Sequence, residues 1–79
     1  MENFAEEALG GMPRITVLGG SEVKIEGVSG IFCLTDSAVG FRCGRRTVSI
    51  SGSGLRLLFV RGSDAAVEGE IGAVEFGTN

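Results

Sequence analysis

From Pro13 onwards, apolar and polar side chains alternate along the chain with a period of two. In RITVL the apolar positions are Ile15 and Val17, and in EVKIE they are Val23 and Ile25. Successive side chains of a β-strand point to opposite faces, so this alternation is typical of strands with one buried face. VGFRC and RTVSIS continue the pattern, whereas IFCLT is apolar on both faces, which favours a central strand.

Short turn segments separate these predicted strands at intervals of about 8–12 residues. Gly19-Gly20, Asp36-Ser37 and Gly44-Arg45 each predict a tight connection, and Gly52-Ser53-Gly54 predicts a further turn between two strands. No helical pattern intervenes, so parallel βαβ units are excluded. We predict an all-β fold: a small antiparallel meander of about seven or eight short strands, forming a two-layer sandwich or small barrel.

One set of apolar residues occupies the inward positions of these strands and forms the predicted core. Gly40, Gly69 and Gly72 lie inside strand patterns, where glycine indicates a bulge or a close approach of two backbones. The predicted interior residues are Ile15, Val17, Val23, Ile25, Ile31, Cys33, Val39, Phe41, Val48, Ile50, Leu55, Leu57, Phe59, Val67, Ile71 and Val74.

Residues 1–12 have a different pattern from the rest of the chain. Their apolar side chains, from Phe4 to Leu9, recur at helical spacing before Gly10-Gly11 ends the pattern. A helix this short is marginal in isolation. We therefore predict a helical or disordered N-terminal tail over residues 1–12 and a single β domain over residues 13–79.

The residue types that are absent restrict the chemistry. The 79 residues include no His, no Trp and no Tyr. Histidine is the commonest general base and metal ligand, so a Ser-His-Asp or Cys-His site cannot be built from this chain. Two cysteines do not complete a zinc site. We expect a protein that is not an enzyme and that uses no cofactor or metal.

The distribution of apolar residues also bears on localisation. No segment is long and apolar enough to span a bilayer, and the acidic N-terminus does not have the pattern of an export signal. We therefore expect a cytoplasmic protein that does not insert directly into a membrane.

The net charge is −3, but basic and acidic side chains are segregated along the chain. Residues 37–63 contain every arginine except Arg14 and no acidic residue, and acidic segments flank them on both sides. Such blocks can neutralise each other across a sheet, or pair head to tail between copies. Guanidinium groups near the predicted turn at Gly44 can also bind carboxylate or phosphate. The candidate partner-contact residues are Arg42, Arg45, Arg46, Arg56 and Arg61.

The same arginines allow a second function, that of a small β-barrel that binds nucleic acid through the Arg42–Arg61 face. The acidic overall balance disfavours this role, because domains that bind nucleic acid are typically basic. The only aromatic residues are phenylalanines, and most of them lie at predicted interior positions. Protein partners or self-association are therefore favoured.

Cys33 and Cys43 fall on neighbouring predicted strands, and three interpretations are open: reduced core thiols, a disulfide, and a metal or redox pair. Free cysteines are commonly buried, and the missing export signal disfavours a bridge. Glu68 and Glu70 share one face of a predicted strand, which suits a solvated face or, with a partner, acid–base chemistry.

Four segments follow one another in a fixed order: PRITVLG at 13–19, EVKIEGVSGI at 22–31, VSISGSGLRLLFV at 48–60 and VEGEIGAVEF at 67–76. In order and spacing they resemble the YabP/YqfC family of sporulation proteins, and the YqfC branch more closely. The most specific element is the Gly-Leu-x-Leu step followed by the terminal Val-x-Gly-x-Ile-x-x-Val-x-Phe. The segment CLTDSAVGFRCGRR departs from the family pattern.

The resemblance implies a small cytosolic protein of endospore-forming bacteria that acts in the mother cell during sporulation. It implies a structural or assembly role, in the spore coat or in a membrane-associated complex, exerted through protein–protein contacts. The partners it implies include a membrane protein of the sporulation programme. No catalytic motif accompanies the family.

Overall fold

The computed structural model describes residues 13–78, which form six β-strands and no helix. The predicted N-terminal tail, residues 1–12, lies outside the described residues. Each strand is antiparallel to its neighbours, so the all-β antiparallel prediction is confirmed. The strands are β1 (Arg14–Leu18), β2 (Glu22–Glu26), β3 (Gly30–Leu34), β4 (Ala38–Cys43), β5 (Arg46–Arg61) and β6 (Asp64–Thr78).

These strands form one sheet in the order β1-β2-β6-β5-β4-β3. Strands that follow each other in sequence lie side by side, except that β2 pairs with β6 and not with β3. The short hairpins β1–β2 and β3–β4 therefore lie on opposite sides of a central β5–β6 hairpin. Strands β1 and β3 are the two edges of the sheet.

The edge position of β3 contradicts the prediction that IFCLT forms a central strand. Its second apolar face is not covered by another strand. Instead the Phe32 ring lies over Gly40 of β4, and Leu34 is 55% exposed. In this protein the segment IFCLT is apolar on both faces because β3 is an edge strand whose outer face, with Phe32 and Leu34, stays exposed.

The strand count is lower than predicted because β5 and β6 are long, with 16 and 15 residues. Gly52-Ser53-Gly54 does not end a strand, so the predicted turn at that position is wrong. Pairing with β6 continues through it, with Gly52 opposite Ile71 and Ser53 opposite Glu70. The register shifts on both sides of this segment, which marks it as a bend in the hairpin.

The β5–β6 hairpin is folded in half, so that its tip and its base lie together. The Val28 N–H donates to the carbonyl of Ser63, at the tip, over 2.8 Å. The next residue, Ser29, donates its N–H to the carbonyl of Arg42, beside the base, over 2.7 Å. Val28 and Ser29 are consecutive, so their Cα atoms are only about 3.8 Å apart. If the 16 residues of β5 were straight, the tip and the base of the hairpin would be about 50 Å apart. The sheet therefore folds over itself into two layers.

We call the two halves layer A and layer B. Layer A contains β1, β2, residues 55–61 of β5 and residues 64–68 of β6. Layer B contains β3, β4, residues 46–51 of β5 and residues 73–78 of β6. Because β1 and β3 are not joined by hydrogen bonds, the sheet stays open and does not close into a barrel.

The turns gather at two opposite ends of the molecule. Backbone N–H groups near the bend in β6 donate to the β1–β2 turn, residues 19–21, and those near the bend in β5 donate to residues 36–37. We call this the bend end. The hairpin end, at the other side, holds the connection 27–29 and the turns at 44–45 and 62–63.

The core lies between the layers and receives side chains from both. Phe41, Val48 and Ile50 of layer B and Val23 and Ile25 of layer A are completely buried. Each such side chain contributes roughly 1.5–3 kcal/mol through burial. The remaining buried apolar residues are Val28, Val39, Cys43, Leu55, Ala65, Ala66 and Val67.

Two residues predicted to be interior are exposed, Val17 by 50% and Phe59 by 37%. Val17 lies on the edge strand β1, where no further strand covers it. Phe59 follows a register shift between Leu57 and itself, which moves it away from the core face. Conversely, Val28 is buried although it lies in a connection and belongs to no predicted strand.

Glycine is required where the two backbones approach each other at the bend end. A Cβ on Gly52 would overlap the carbonyl oxygen of Glu70. A Cβ on Gly69, whose φ is +138°, would lie 2.6 Å from the carbonyl oxygen of Gly54. Close backbone approach at Gly69 was one of the sequence predictions, and it is confirmed.

We expect Gly52→Ala to lower the free energy of unfolding by about 2–4 kcal/mol, because β5 and β6 must separate to admit the methyl group. Gly30→Ala is the matched control, since its Cβ meets its nearest neighbour at 3.8 Å and its φ is not positive. Its effect should be within about 1 kcal/mol. Urea unfolding followed by circular dichroism measures both. Equal stability of the two variants would contradict the role assigned to the bend.

Candidate functional site

The large exposed hydrophobic side chains share one property: each lies on a stretch of strand with an unpaired edge. Strand β4 pairs with β5 only as far as Ser51, and β2 pairs with β6 only as far as Glu68. Apart from the N–H groups that donate to the turns at the bend end, the parts of β5 after Ser51 and of β6 after Glu68 therefore have free edges, as do β1 and β3. The exposed residues are Val17, Leu18, Phe32, Leu34, Leu58, Phe59, Val60 and Phe76.

These free edges combine two kinds of unsatisfied surface. Among residues 13–78 their outward backbone N–H and C=O groups have no strand partner, and such groups are templates for pairing with another chain. Beside them lie apolar side chains, with Phe76 exposed by 57% and Val60 by 48%. The inner strands β2 and β4 carry no large exposed hydrophobic residue. The candidate functional site is thus the set of free edges.

The structure brings four of the five predicted contact arginines to the hairpin end and leaves one apart. Arg42, Arg45 and Arg46 surround the β4–β5 turn, and Arg61 ends β5 at the neighbouring β5–β6 turn. The bonds of Val28 and Ser29 hold these two turns near each other. Arg56 lies towards the bend end.

Arg56 is neutralised inside the molecule. It lies opposite Glu68 on the neighbouring strand, and its guanidinium donates from Nε to a Glu68 carboxylate oxygen over 2.9 Å. A second nitrogen, Nη2, contacts the same oxygen. The Arg56 side chain is 74% exposed, so the pair contributes little to stability. The Arg56 charge is thus already paired with a carboxylate of the same chain, although the side chain stays on the surface.

Two of the other arginines lie over aromatic rings of the free edges. The guanidinium carbon of Arg42 is 5.5 Å from the centre of the Phe32 ring. That of Arg61 is 5.5 Å from the centre of the Phe59 ring. Such cation–π contacts contribute about 0.5–1 kcal/mol at exposed sites. Cationic and apolar groups are therefore combined on the edges formed by β3 and by residues 55–61.

Arg45 and Arg46 have no ion pair among residues 13–78. Arg45 lies in the turn itself, and Arg46 pairs across the strands with Cys43 and Thr78. No carboxylate side chain lies opposite Arg42 either, because its strand partners are Gly30 and Thr47. These guanidinium groups are free to bind a carboxylate from outside the described part of the chain.

Charge is segregated between the two ends of the fold. The acidic residues at the hairpin end are Glu26 and Asp64, and the basic residues there are Arg14, Arg42, Arg45, Arg46 and Arg61. The bend end is acidic, with Arg56 as its basic residue. Residues 13–78 are neutral overall, because Glu2, Glu6 and Glu7 account for the net charge of −3. The acids at the bend end are Glu22, Asp36, Glu68 and Glu70.

Like charges face each other on the outer surface of layer A. Glu22 lies directly opposite Glu68, and Glu26 lies directly opposite Asp64. Such pairs are destabilising unless cations lie beside them. Arginines supply these cations, but the two acidic pairs differ in the number of arginines beside them.

The pair at the hairpin end has an arginine on both sides: Arg14 of β1 lies beside Glu26, and Arg61 of β5 lies beside Asp64. The pair at the bend end has an arginine on one side only. Arg56 lies beside Glu68, but the β1 residue beside Glu22 is Leu18.

Both cysteines are free thiols. Cys33 pairs with Gly40, three positions along β4 from Cys43, which places the two cysteines roughly 10 Å apart. A disulfide requires a Cα separation below about 7 Å, so the bridge is excluded in this fold. Cys43 is buried in the core, and burial raises the pKa of its thiol.

Glu68 and Glu70 each have a structural partner. Ser53 donates its hydroxyl to the Glu70 carboxylate over 2.8 Å, and Glu68 accepts from Arg56. Among residues 13–78, no group of His, Cys, Asp or Glu side chains is arranged to hold a metal ion. A groove of about 330 Å³ on layer A, between Lys24 and Phe59, is lined by side chains of both charges.

The sequence pattern predicts Val17 and Phe59 in the core, so it did not show which strands have apolar free edges. The signal was present in the consecutive apolar residues of LLFV and IFCL, which exceed what one buried face of a strand accommodates. The part of the chain that the structure describes contains no helix able to cross a membrane. Comparisons with protein-family models, with curated proteins and with solved structures found no match.

We expect thiol reagents to modify Cys33 at least about tenfold faster than Cys43 in the folded protein, since the thiolate is the reactive form and Cys43 is buried with a raised pKa. Absorbance during reaction with an aromatic disulfide resolves the two phases. Cys33→Ser should remove the fast phase, and both thiols should react equally in denaturant. A fast phase that persists in Cys33→Ser would show that the core is open at the hairpin end.

Proposed function

We propose that this chain is a non-enzymatic assembly protein that acts through protein–protein contacts at its free strand edges. One observation carries the proposal: the large exposed hydrophobic residues of the described chain are confined to strands with free edges. Monomeric proteins usually protect such edges with charges, bulges or covering loops. Edges that are apolar and uncovered favour addition of a strand from another molecule.

The small size of the domain supports the same proposal. A chain of 79 residues has a thin core, and association is one of the common ways in which small domains gain stability. The separation of charge between the ends gives the surface a direction. A partner with the opposite distribution is oriented before the edges meet, since complementary charge steers encounter and register.

We further propose that this assembly role belongs to sporulation, in the spore coat or in a membrane-associated complex of the mother cell. The resemblance of four ordered segments to the YabP/YqfC family supports this setting. Most of those segments correspond to strands that frame the fold: 13–19 contains β1, 22–31 contains β2, and 67–76 lies within β6. The partner in that setting is a second copy or another protein of the programme.

A second candidate function is nucleic-acid binding at the hairpin end. It is supported by the grouping of Arg42, Arg45, Arg46 and Arg61, with Phe32 beside the first. Against it, these arginines share their end of the molecule with two acidic side chains, and residues 13–78 are neutral overall. The assembly function is therefore the stronger proposal.

We expect the purified full chain to have a solution mass above that of one chain, because no strand among residues 13–78 covers its apolar edges. Light scattering over a concentration series, at low and at high salt, measures it. Mass that falls at high salt would assign part of the contact energy to the charged ends.

A gel-shift titration with single- and double-stranded probes at low salt is the companion measurement, and we expect no binding. A monomer at every concentration that nevertheless shifts the probes would replace the assembly proposal with the nucleic-acid function. In that case Arg45→Glu with Arg46→Glu should abolish the shift.

A further inference from the structure

We propose that a second copy of this chain pairs antiparallel with the free edge of β1, forming a two-fold dimer in which layer A becomes one continuous sheet. The inference rests on the proposed assembly function and names its partner and surface. Four features of the chain lead to it: the regularity of β1, the direction of its backbone groups, its side chains and the charges beside it.

Strand β1 is the free edge with no protective feature inside it. All five of its residues pair with β2 without a register shift, and its only charged residue, Arg14, is at its first position. The other edges are irregular. Strand β3 has a register shift at Phe32, residues 55–61 have one at Leu58, and residues 71–78 contain Gly72 and Gly77. Bulges, glycines and charges discourage strand addition.

The backbone of β1 presents its hydrogen-bonding groups outward at two positions. The carbonyl of Leu18 accepts from the N–H of Ser21, so it points into the β1–β2 hairpin. Carbonyl directions alternate along a strand, so Ile15 and Val17 direct their N–H and C=O groups towards the free edge. In an antiparallel pair centred on Thr16, Ile15 of one copy faces Val17 of the other, and each such pair exchanges two hydrogen bonds.

The side chains suit that register. Ile15, Thr16 and Val17 are β-branched, which favours strand pairing. Ile15 and Val17 lie on the core face of layer A, opposite Ile25 and Val23, and Val17 is 50% exposed. The second copy's Ile15 would cover that exposed part of Val17. On the outer face, Thr16 meets Thr16 of the second copy.

The charges select the antiparallel orientation. Strand β1 runs from the basic hairpin end at Arg14 to the acidic bend end at Leu18. Antiparallel pairing places the hairpin end of each copy beside the bend end of the other. Arg14 of the second copy then lies opposite Leu18, two strand spacings (about 10 Å) from Glu22, which faces Glu68 and has no cation on its β1 side. The long arginine side chain can extend over Leu18 towards Glu22, and the two-fold symmetry repeats this contact at the acidic pair of the other copy.

A disulfide at the two-fold axis tests the register directly. At a directly opposed antiparallel pair that exchanges no hydrogen bonds, Cα atoms lie about 4.5 Å apart, close enough for a disulfide. We therefore expect Thr16→Cys to form a covalent dimer under mild oxidation. Ala73→Cys, exposed on the free edge of β6, is the matched control, and the unchanged chain measures any crosslinking through Cys33. Both should remain predominantly uncrosslinked.

A second pair of variants tests the energetics without new covalent chemistry. Val17→Lys places a charge at the pairing edge and should raise the dissociation constant of the dimer by on the order of tenfold or more. Phe76→Lys makes the same change on the free edge of β6 and should leave the dissociation constant nearly unchanged. Val17 and Phe76 are both exposed, by 50% and 57%, so both variants should fold. Circular dichroism checks that they do.

The outcomes separate this inference from the proposed function. Efficient crosslinking of Thr16→Cys alone, together with weakening by Val17→Lys, supports the β1 dimer. Association that persists in Val17→Lys, with no crosslink at position 16 above the controls, overturns the β1 interface and leaves assembly through another edge. A monomer at every concentration, with no crosslink, overturns self-association and the β1 dimer together.

Discussion

The close approach of the β5 and β6 backbones at Gly52 and Gly69 is the contact on which the remaining architecture depends. A side chain at either position would overlap a carbonyl of the opposite strand. Without a Cβ, the long hairpin folds in half, and the apolar face of one half covers the apolar face of the other. A flat ribbon of the same residues would expose that face to water, and a two-stranded ribbon is marginal alone.

The free edges are a direct consequence of that fold. Each half of the central hairpin receives one short hairpin on one side, β1–β2 in layer A and β3–β4 in layer B. In the described part of the chain the opposite side of each half has no neighbouring strand, which leaves two further free edges. Edge exposure is thus built into the topology. These edges are apolar, and positive and negative charges are separated between their two ends, so the proposed partner would encounter both unpaired backbone groups and an orienting electric field.

Local patterns were sufficient for the strands but not for their arrangement. Period-two alternation identified β1, β2 and β4, and Val23, Ile25 and Phe41 were correctly assigned to the core. Gly52-Ser53-Gly54 has the composition of a turn between two strands. Because Gly52 and Ser53 pair with Ile71 and Glu70 of β6, the segment instead forms a bend within β5.

The candidate site was predictable only in part, for the same reason. A β-bulge at Leu58 adds one residue to the strand and so moves Phe59 to the outer face. The alternation of apolar and polar residues in the sequence does not show where such a bulge lies. Arg61 lies at the same end of the molecule as Arg42 because the β5–β6 hairpin folds back on itself. Arg56 instead forms an ion pair with Glu68 on the neighbouring strand. The adjacent arginines at the β4–β5 turn could be grouped from sequence. The apolar edges required the topology.

The pairing of β2 with β6 also sets the order in which the chain can form. Lys24 and Ala66 are neighbours in the sheet, so their contact closes a loop of about forty residues. The β3–β4, β4–β5 and β5–β6 pairs need only local closure, which is faster. The β5–β6 hairpin, together with β3 and β4, can therefore form before β2 pairs with β6, and residues 64–68 then have one unpaired edge until the N-terminal hairpin docks. During that interval the β1–β2 hairpin of another molecule can pair with the same edge, so the topology permits exchange of this hairpin between chains.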